Sequence, residues 1–185
     1  WRIITFTPDA FGKGDPFDVL AYELHQTWIG LNIQKTASLL RDSRSGLREV
    51  LENALSDSEP HAVLVIDQFE EVFSRVIDDD LRRKFLASIN EATNSPRILT
   101  IATLRDDFFH YCIKSPILSR LINRNDNSTF TLSAPGQLEL YEMINGPAQM
   151  AGLQFENGLV RKILEDTGNQ PGALALMAYA LDLLY

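Results

Sequence analysis

A chain of 185 residues that is 45% hydrophobic and 23% charged has the composition of one globular domain, or of a domain with a small appendage. Its formal net charge of −8 argues against any broad attraction to nucleic acid or anionic lipid, although one metal and one or two local cations still allow a nucleotide ligand. Cys112 is the only cysteine, no apolar run reaches membrane-spanning length and no signal peptide is visible, so the expectation is a cytoplasmic protein without disulfides or a membrane anchor.

In chain order, Arg2-Ile-Ile-Thr-Phe-Thr7 is β-rich and closes in Pro8-Asp9 and a glycine-containing loop through Asp15. The chain starts at Trp1, with no initiator methionine and already inside a predicted strand, which suggests a segment of something longer. Pro16 opens a helix at its first position, with Phe17, Leu20, Ala21 and Leu24 on one face. Leu47, Val50, Leu51, Ala54 and Leu55 repeat with helical spacing and predict a second helix, which Ser56-Asp-Ser-Glu-Pro60 stops.

The most informative stretch follows. Ala62-Val-Leu-Val-Ile is apolar and mostly β-branched, and it ends abruptly in Asp67, with Glu70 and Glu71 close behind. The run reads as a strand buried on both faces, central in a parallel α/β sheet. Ligands of such sheets bind beyond the carboxyl ends of the strands, where Asp67 falls. A carboxylate there can hold the Mg²⁺ of a nucleotide, and a glutamate a few residues on can orient an attacking water, which makes the element Walker B-like. The same residues also fit a buried strand followed by an acidic helix start, with Glu70 and Glu71 complementing the dipole. Taken alone, the stretch fits either reading.

A helix start after Glu71 and an acidic break at Asp78-Asp79-Asp80 lead to a helix with Leu81, Phe85, Ile89 and Ala92 in register. The break reads as a solvated helix N-terminus. Arg97-Ile-Leu-Thr-Ile-Ala-Thr103 is the next strand and ends in Leu104-Arg105-Asp106-Asp107-Phe108; a helical stretch runs on through Leu121, and Ser128-Thr-Phe-Thr-Leu132 predicts a last short strand. Three helices follow, about 137–150, 158–167 and 172–184. His25, His61 and His110 are scattered without metal-ligand spacing. Strands alternating with helices, then helices alone, predict a parallel α/β layer over residues 1–134 and a helical subdomain over 135–185.

Four elements in order carry a resemblance: Val65-Ile-Asp67-Gln-Phe-Glu-Glu-Val-Phe73, Thr103-Leu-Arg105-Asp-Asp-Phe-Phe109, Ile144-Asn-Gly-Pro147-Ala148 and Thr167-Gly-Asn-Gln-Pro171-Gly-Ala-Leu174. Together they resemble the bacterial signalling STAND P-loop NTPases, the novel STAND group often fused to WD-repeat propellers, kinase or protease domains. The resemblance runs from Trp1 to Tyr185. It implies an ASCE-type parallel sheet followed by a helical lid, and a switch in which binding and slow hydrolysis of ATP with Mg²⁺ control assembly or effector activation. It further implies that Asp67 is the Walker B metal-binding carboxylate and that Glu70 and Glu71 are the acidic pair beside the attacking water. Arg105 is implied to read the γ-phosphate, and Pro171 to pack near the adenine. Partners implied are ATP and ADP, self-association, and effector and sensor domains in the same polypeptide.

Bare chemistry leaves alternatives open for two of these. Arg105 can equally pair with Asp106, Asp107 or Glu71. Pro171 can simply start a helix after the Gly168-Asn169 turn.

One departure matters. No G-x-x-x-x-G-K-[ST] loop occurs in the sequence, and Gly12-Lys13-Gly14 is too short and follows the wrong strand. In the family that loop and its strand precede the segment beginning here at Trp1, so the segment alone is expected to bind nucleotide poorly. In the family's strand order the missing strand lies between the strand ending at Thr103 and the one predicted at 130–132. The alternative function is a non-catalytic docking or oligomerisation module that keeps the fold without nucleotide chemistry.

Overall fold

Three parallel strands lie side by side in the order β1 (Arg2–Phe6), β2 (Ala62–Ile66), β3 (Ile98–Ala102). The computed structural model describes residues 1–10, 12, 15–74, 77–124, 128–167 and 173–184. Register aligns Phe6 with Ile66 and Ile66 with Ala102, so all three strands end at the same level. Helices α1 (Pro16–Thr27), α2 (Ile33–Asp42) and α3 (Gly46–Ala54) separate β1 from β2, and α4 (Asp79–Ala92) separates β2 from β3. The result is a mixed α/β architecture, as the alternation of patterns implies.

Local chemistry starts α1 and α4 where the sequence signals them. Asp15 caps α1 by accepting from Phe17 N at 2.9 Å, with Pro16 as the first helical residue. Arg41 of α2 then reaches back to Asp15 at 2.7 Å and Asp18 at 2.8 Å, and these two carboxylates raise its pKa against the opposing effect of burial, the largest single influence. Asp78 caps α4 through Asp80 N and Leu81 N, the helix-start role expected for the acidic break. Gly46 sits where a Cβ would lie 2.5 Å from the carbonyl oxygen of Leu39, so only glycine allows α3 to approach α2 this closely.

The core forms against one face of the sheet. Ile4, Phe6, Leu64 and Ile66 join Phe17, Leu20 and Leu24 of α1, Leu40 of α2, Leu47 and Leu51 of α3 and Phe85 of α4 in one buried cluster. Phe85 packs edge-on against Phe6 and Phe17 at centroid distances of 6.2 and 5.6 Å.

The expectation of a strand buried on both faces is corrected here. β2 is the central strand of the three, but only Ala62, Leu64 and Ile66 are buried, while Val63 and Val65 are half-buried. On their side Ile3, Leu99 and Ile101 are exposed by 64%, 49% and 47%, because the core-forming helices cover only the opposite face.

The predicted strand at 128–132 is also corrected. Ser128 to Leu132 adopt no regular structure, and Phe130 and Leu132 are each 85% exposed. β propensity alone does not hold five residues extended without a ladder partner. Among the described residues no strand pairs with the outer edge of β3.

After β3 come α5 (Phe109–Lys114) and α6 (Pro116–Ile122). The chain divides into two compact units, Trp1–Thr129 and Phe130–Tyr185. The second consists of α7 (Gln137–Met150), α8 (Leu159–Thr167) and α9 (Ala173–Leu184), close to the spans the periodicity predicts. Leu140, Ile144 and Met177 form its small core, flanked by Phe155, Val160, Ile163, Leu164 and Leu181. Among the described residues no helix is long and apolar enough to cross a membrane.

Candidate functional site

Because the strands end level, the residues that follow them meet at one rim. Asp67 N donates to Phe6 O at 2.9 Å and Thr103 N to Ile66 O at 3.0 Å, which carries the parallel ladder one residue past β2 and β3. Asp67 and Thr103 therefore stand side by side, and Thr103 Oγ1 donates to Asp67 Oδ1 at 2.6 Å. Gln68 N lies 3.1 Å from the same carboxylate oxygen and 3.0 Å from Thr103 Oγ1. Both of these contacts to Asp67 fall on Oδ1.

Gln68 turns the chain sharply, with φ 51° and ψ 52°, and among the described residues it is the one non-glycine with positive φ. Such a conformation is uncommon outside glycine and asparagine and persists where surrounding bonds over-determine it. Here Phe69 N donates to Thr103 O at 2.9 Å and closes the turn. The next residues form a 3-10 helix, Phe69–Phe73, rather than an α-helix start. Glu70 and Glu71 occupy its first turn, while Phe69 and Val72 face the core.

Arg105 begins the segment across from it, just before a second 3-10 helix, Asp106–Phe108. Its backbone N–H points to Glu70 Oε2 at 3.4 Å. Its guanidinium forms a two-pronged pair with Asp107, at 3.2 and 2.9 Å, and stands 5.7 Å from the Phe108 ring centre. Of the partners that chemistry allows for Arg105, the structure selects Asp107. Both side chains are well exposed, 67% for Arg105 and 53% for Asp107, so the pair is weakly held and open to exchange.

Glu70, Glu71, Ser74, Thr103, Arg105 and Phe108 line an open cleft of about 540 Å³ at this rim, with Asp67 adjoining through its bond to Thr103. Acidic groups outnumber cationic ones there. Among the described residues no three His, Cys, Asp or Glu side chains converge into a metal cage. What the rim offers is the carboxylate of Asp67, two further carboxylates on a short 3-10 turn, and one guanidinium fork.

Of the sequence-predicted site residues, the structure brings Asp67, Glu70, Glu71 and Arg105 to one rim. Pro171 lies outside the described residues. Sequence reading assigned no role to Thr103, yet it bonds both to Asp67 and to the turn after it. A hydroxyl residue directly following a strand parallel to the one that delivers Asp67 was the available signal.

A family model described as Novel STAND NTPase 1 matches residues 1–185. No curated protein and no solved structure matches.

Proposed function

The chain belongs to the Novel STAND NTPase 1 family, and we propose that it forms the part of an ATP-dependent signalling switch that follows the phosphate loop. The observation that carries the reading is the meeting of Asp67, Glu70 and Arg105 at the carboxyl ends of β2 and β3. These groups fit one end of a magnesium nucleotide. Asp67 offers its carboxylate to the metal, the fork of Arg105 suits phosphate oxygens once it leaves Asp107, and Glu70 and Glu71 flank the space for a water. Bound Mg²⁺ would supply charge neutralisation at the phosphates. The sequence holds no G-x-x-x-x-G-K-[ST] loop, and we assign the cradling of the triphosphate to such a loop outside residues 1–185, whose strand would pair with the open edge of β3.

In this account the helical subdomain, residues 135–185, acts as the lid. Nucleotide holds core and lid in an assembly-competent arrangement, and slow hydrolysis resets it. Self-association and effector or sensor domains on the same polypeptide are the corresponding partners. A docking module without nucleotide chemistry is the competing reading, favoured by the engagement of Arg105 with Asp107.

The test uses a form of the chain extended upstream through its natural sequence. Asp67→Asn is expected to weaken Mg²⁺-dependent ATP binding, because a metal ligand acts in the bound ground state. Replacing Glu70 and Glu71 together by glutamine is expected to spare binding and slow single-turnover hydrolysis by about 100-fold or more, because a water-orienting carboxylate acts mainly in the transition state. An unchanged rate in the double variant returns both glutamates to the role of helix-start charges.

A further inference from the structure

The proposed site is split between two 3-10 helices, one presenting Glu70 and Glu71, the other following directly on Arg105. Neither is long enough to hold its own geometry. The backbone bond from Arg105 to Glu70 is a long one at 3.4 Å. A second tie is built of aromatic rings. Phe69 is buried in the core and meets Phe73 edge-on, with centroids 6.0 Å apart and planes at 87°. Phe73 stacks almost parallel on Tyr111, at 5.0 Å and 14°. Tyr111 in turn stacks with Phe108 at 5.9 Å and 25°, and Phe108 carries the Arg105 guanidinium 5.7 Å from its ring centre. The rings thus run from the core, through the helix of the acid pair, to the arginine.

We propose that Tyr111 is a positioning residue: its ring, in contact with both Phe73 and Phe108, sets the spacing of the two 3-10 helices so that Glu70, Glu71 and Arg105 address one ligand. The part concerning activity rests on the nucleotide reading above. The ring contacts of Tyr111 are with Phe73, Phe108 and His110, and it comes from a six-residue helix whose one buried side chain among the described residues is Cys112. A side chain that only filled surface space would have no reason to be stacked on both helices. His110 reinforces the placement. Its ring lies 4.1 Å from that of Tyr111, and its Nδ1–H donates to the carbonyl of Asp107 at 2.9 Å. The requirement is for a flat ring and not for the phenol oxygen, so phenylalanine should serve. Small errors in the placement of reacting groups cost large factors in rate, which makes such a spacer consequential even though it is 40% exposed.

The experiment has two arms. In the 185-residue chain, amide exchange is followed at Glu71 in the first 3-10 helix, at Ser74 that caps its end, and at Phe108 in the second, all three bonded to the carbonyl three residues before them. Tyr111→Ala is expected to speed exchange at all three by at least 5-fold while amides of β2 and α4 are unchanged, and Tyr111→Phe to restore wild-type rates. Should Tyr111→Ala lower protection globally, Phe108→Leu removes one stacking face without touching the core, and the same loss at Glu71 and Ser74 is expected. Faster exchange confined to α5 and Phe108, with Glu71 and Ser74 unaffected, would overturn the proposal.

In the upstream-extended form, Tyr111→Ala is expected to slow single-turnover hydrolysis at least 10-fold with ATP affinity within 2-fold. Tyr111→Phe should behave as wild type, and the loss from Tyr111→Ala should be clearly smaller in an Arg105→Ala background than in wild type. Additive losses overturn the coupling. If the extended wild-type form neither binds nor hydrolyses ATP, the nucleotide reading fails, while the exchange arm still decides whether Tyr111 spaces the two helices.

Discussion

Thr103 holds the carboxylate of Asp67 by a 2.6 Å bond from its hydroxyl while accepting the N–H of Gln68 at 3.0 Å. One side chain therefore orients the acid and secures the left-handed turn that follows it. Thr103→Val keeps shape and removes both bonds. In the upstream-extended form, Mg²⁺-dependent ATP affinity is expected to drop about 10-fold, while stability changes by no more than about 1 kcal/mol, since the bonds are solvent-exposed. Calorimetric titration with and without Mg²⁺ checks the first, urea unfolding the second. Unchanged affinity means that Asp67 needs no orientation by Thr103.

Arg82 ties down the segment that follows the acid pair. Its guanidinium donates to the carbonyls of Val72 at 2.7 Å, Ile77 at 2.9 Å and Ser74 at 3.2 Å. Arg82→Ala leaves three part-buried acceptors without that partner, and a loss of about 2–3 kcal/mol is expected in urea unfolding. Arg82→Lys should recover less than half, because an ammonium cannot reproduce a planar fork across three carbonyls.

Phe85 joins α4 to β1 and α1 through its two edge-on contacts with Phe6 and Phe17, and it is fully buried. Phe85→Ala is expected to cost about 3–5 kcal/mol, and Phe85→Leu clearly less, since the smaller cavity loses fewer contacts. Thermal or denaturant unfolding measures both. Similar losses for the two variants would mean that the ring edges, and not the volume, dominate.

Much of this fold is legible in the sequence, and the misses have physical causes. The helices α1, α3 and α4 carry clean 3.6-residue stripes, and α1 and α4 also carry side-chain caps. Helix α2 was missed although Asn32 caps it, because its buried stripe of Thr36, Ala37 and Leu40 includes a polar residue and a small one. The run at Ala62 to Ile66 reads as buried on both faces because its alternate positions are equally apolar; which face the helices cover is a tertiary fact. Strand propensity at 128–132 lacked a ladder partner. The convergence of Asp67, Glu70 and Arg105 follows from strand-end logic, whereas the Thr103 bond needs the register of Ile66 with Ala102, and the stack of Tyr111 needs ring geometry.

Cys112 is buried, and burial pushes its thiol pKa up. A raised folded value means that the thiol stays protonated where the unfolded chain's thiol ionises. The contribution is therefore nil below the unfolded value, about 8.5, and stability declines as pH rises through it. Maleimide labelling at pH 7.5 is expected to be slow in the folded chain and at least 10-fold faster in urea. Equal rates would place the thiol at the surface.

The central claim is that residues 1–185 carry the metal and water side of a nucleotide site whose phosphate cradle lies outside them. The most direct measurement is calorimetric titration of ATP with Mg²⁺ into this chain and into the upstream-extended form. The account predicts no affinity tighter than about millimolar for the 185-residue chain, roughly −4 kcal/mol, and micromolar or tighter binding for the extended form that disappears without Mg²⁺. Micromolar binding by the 185-residue chain, or none by the extended form, would contradict it.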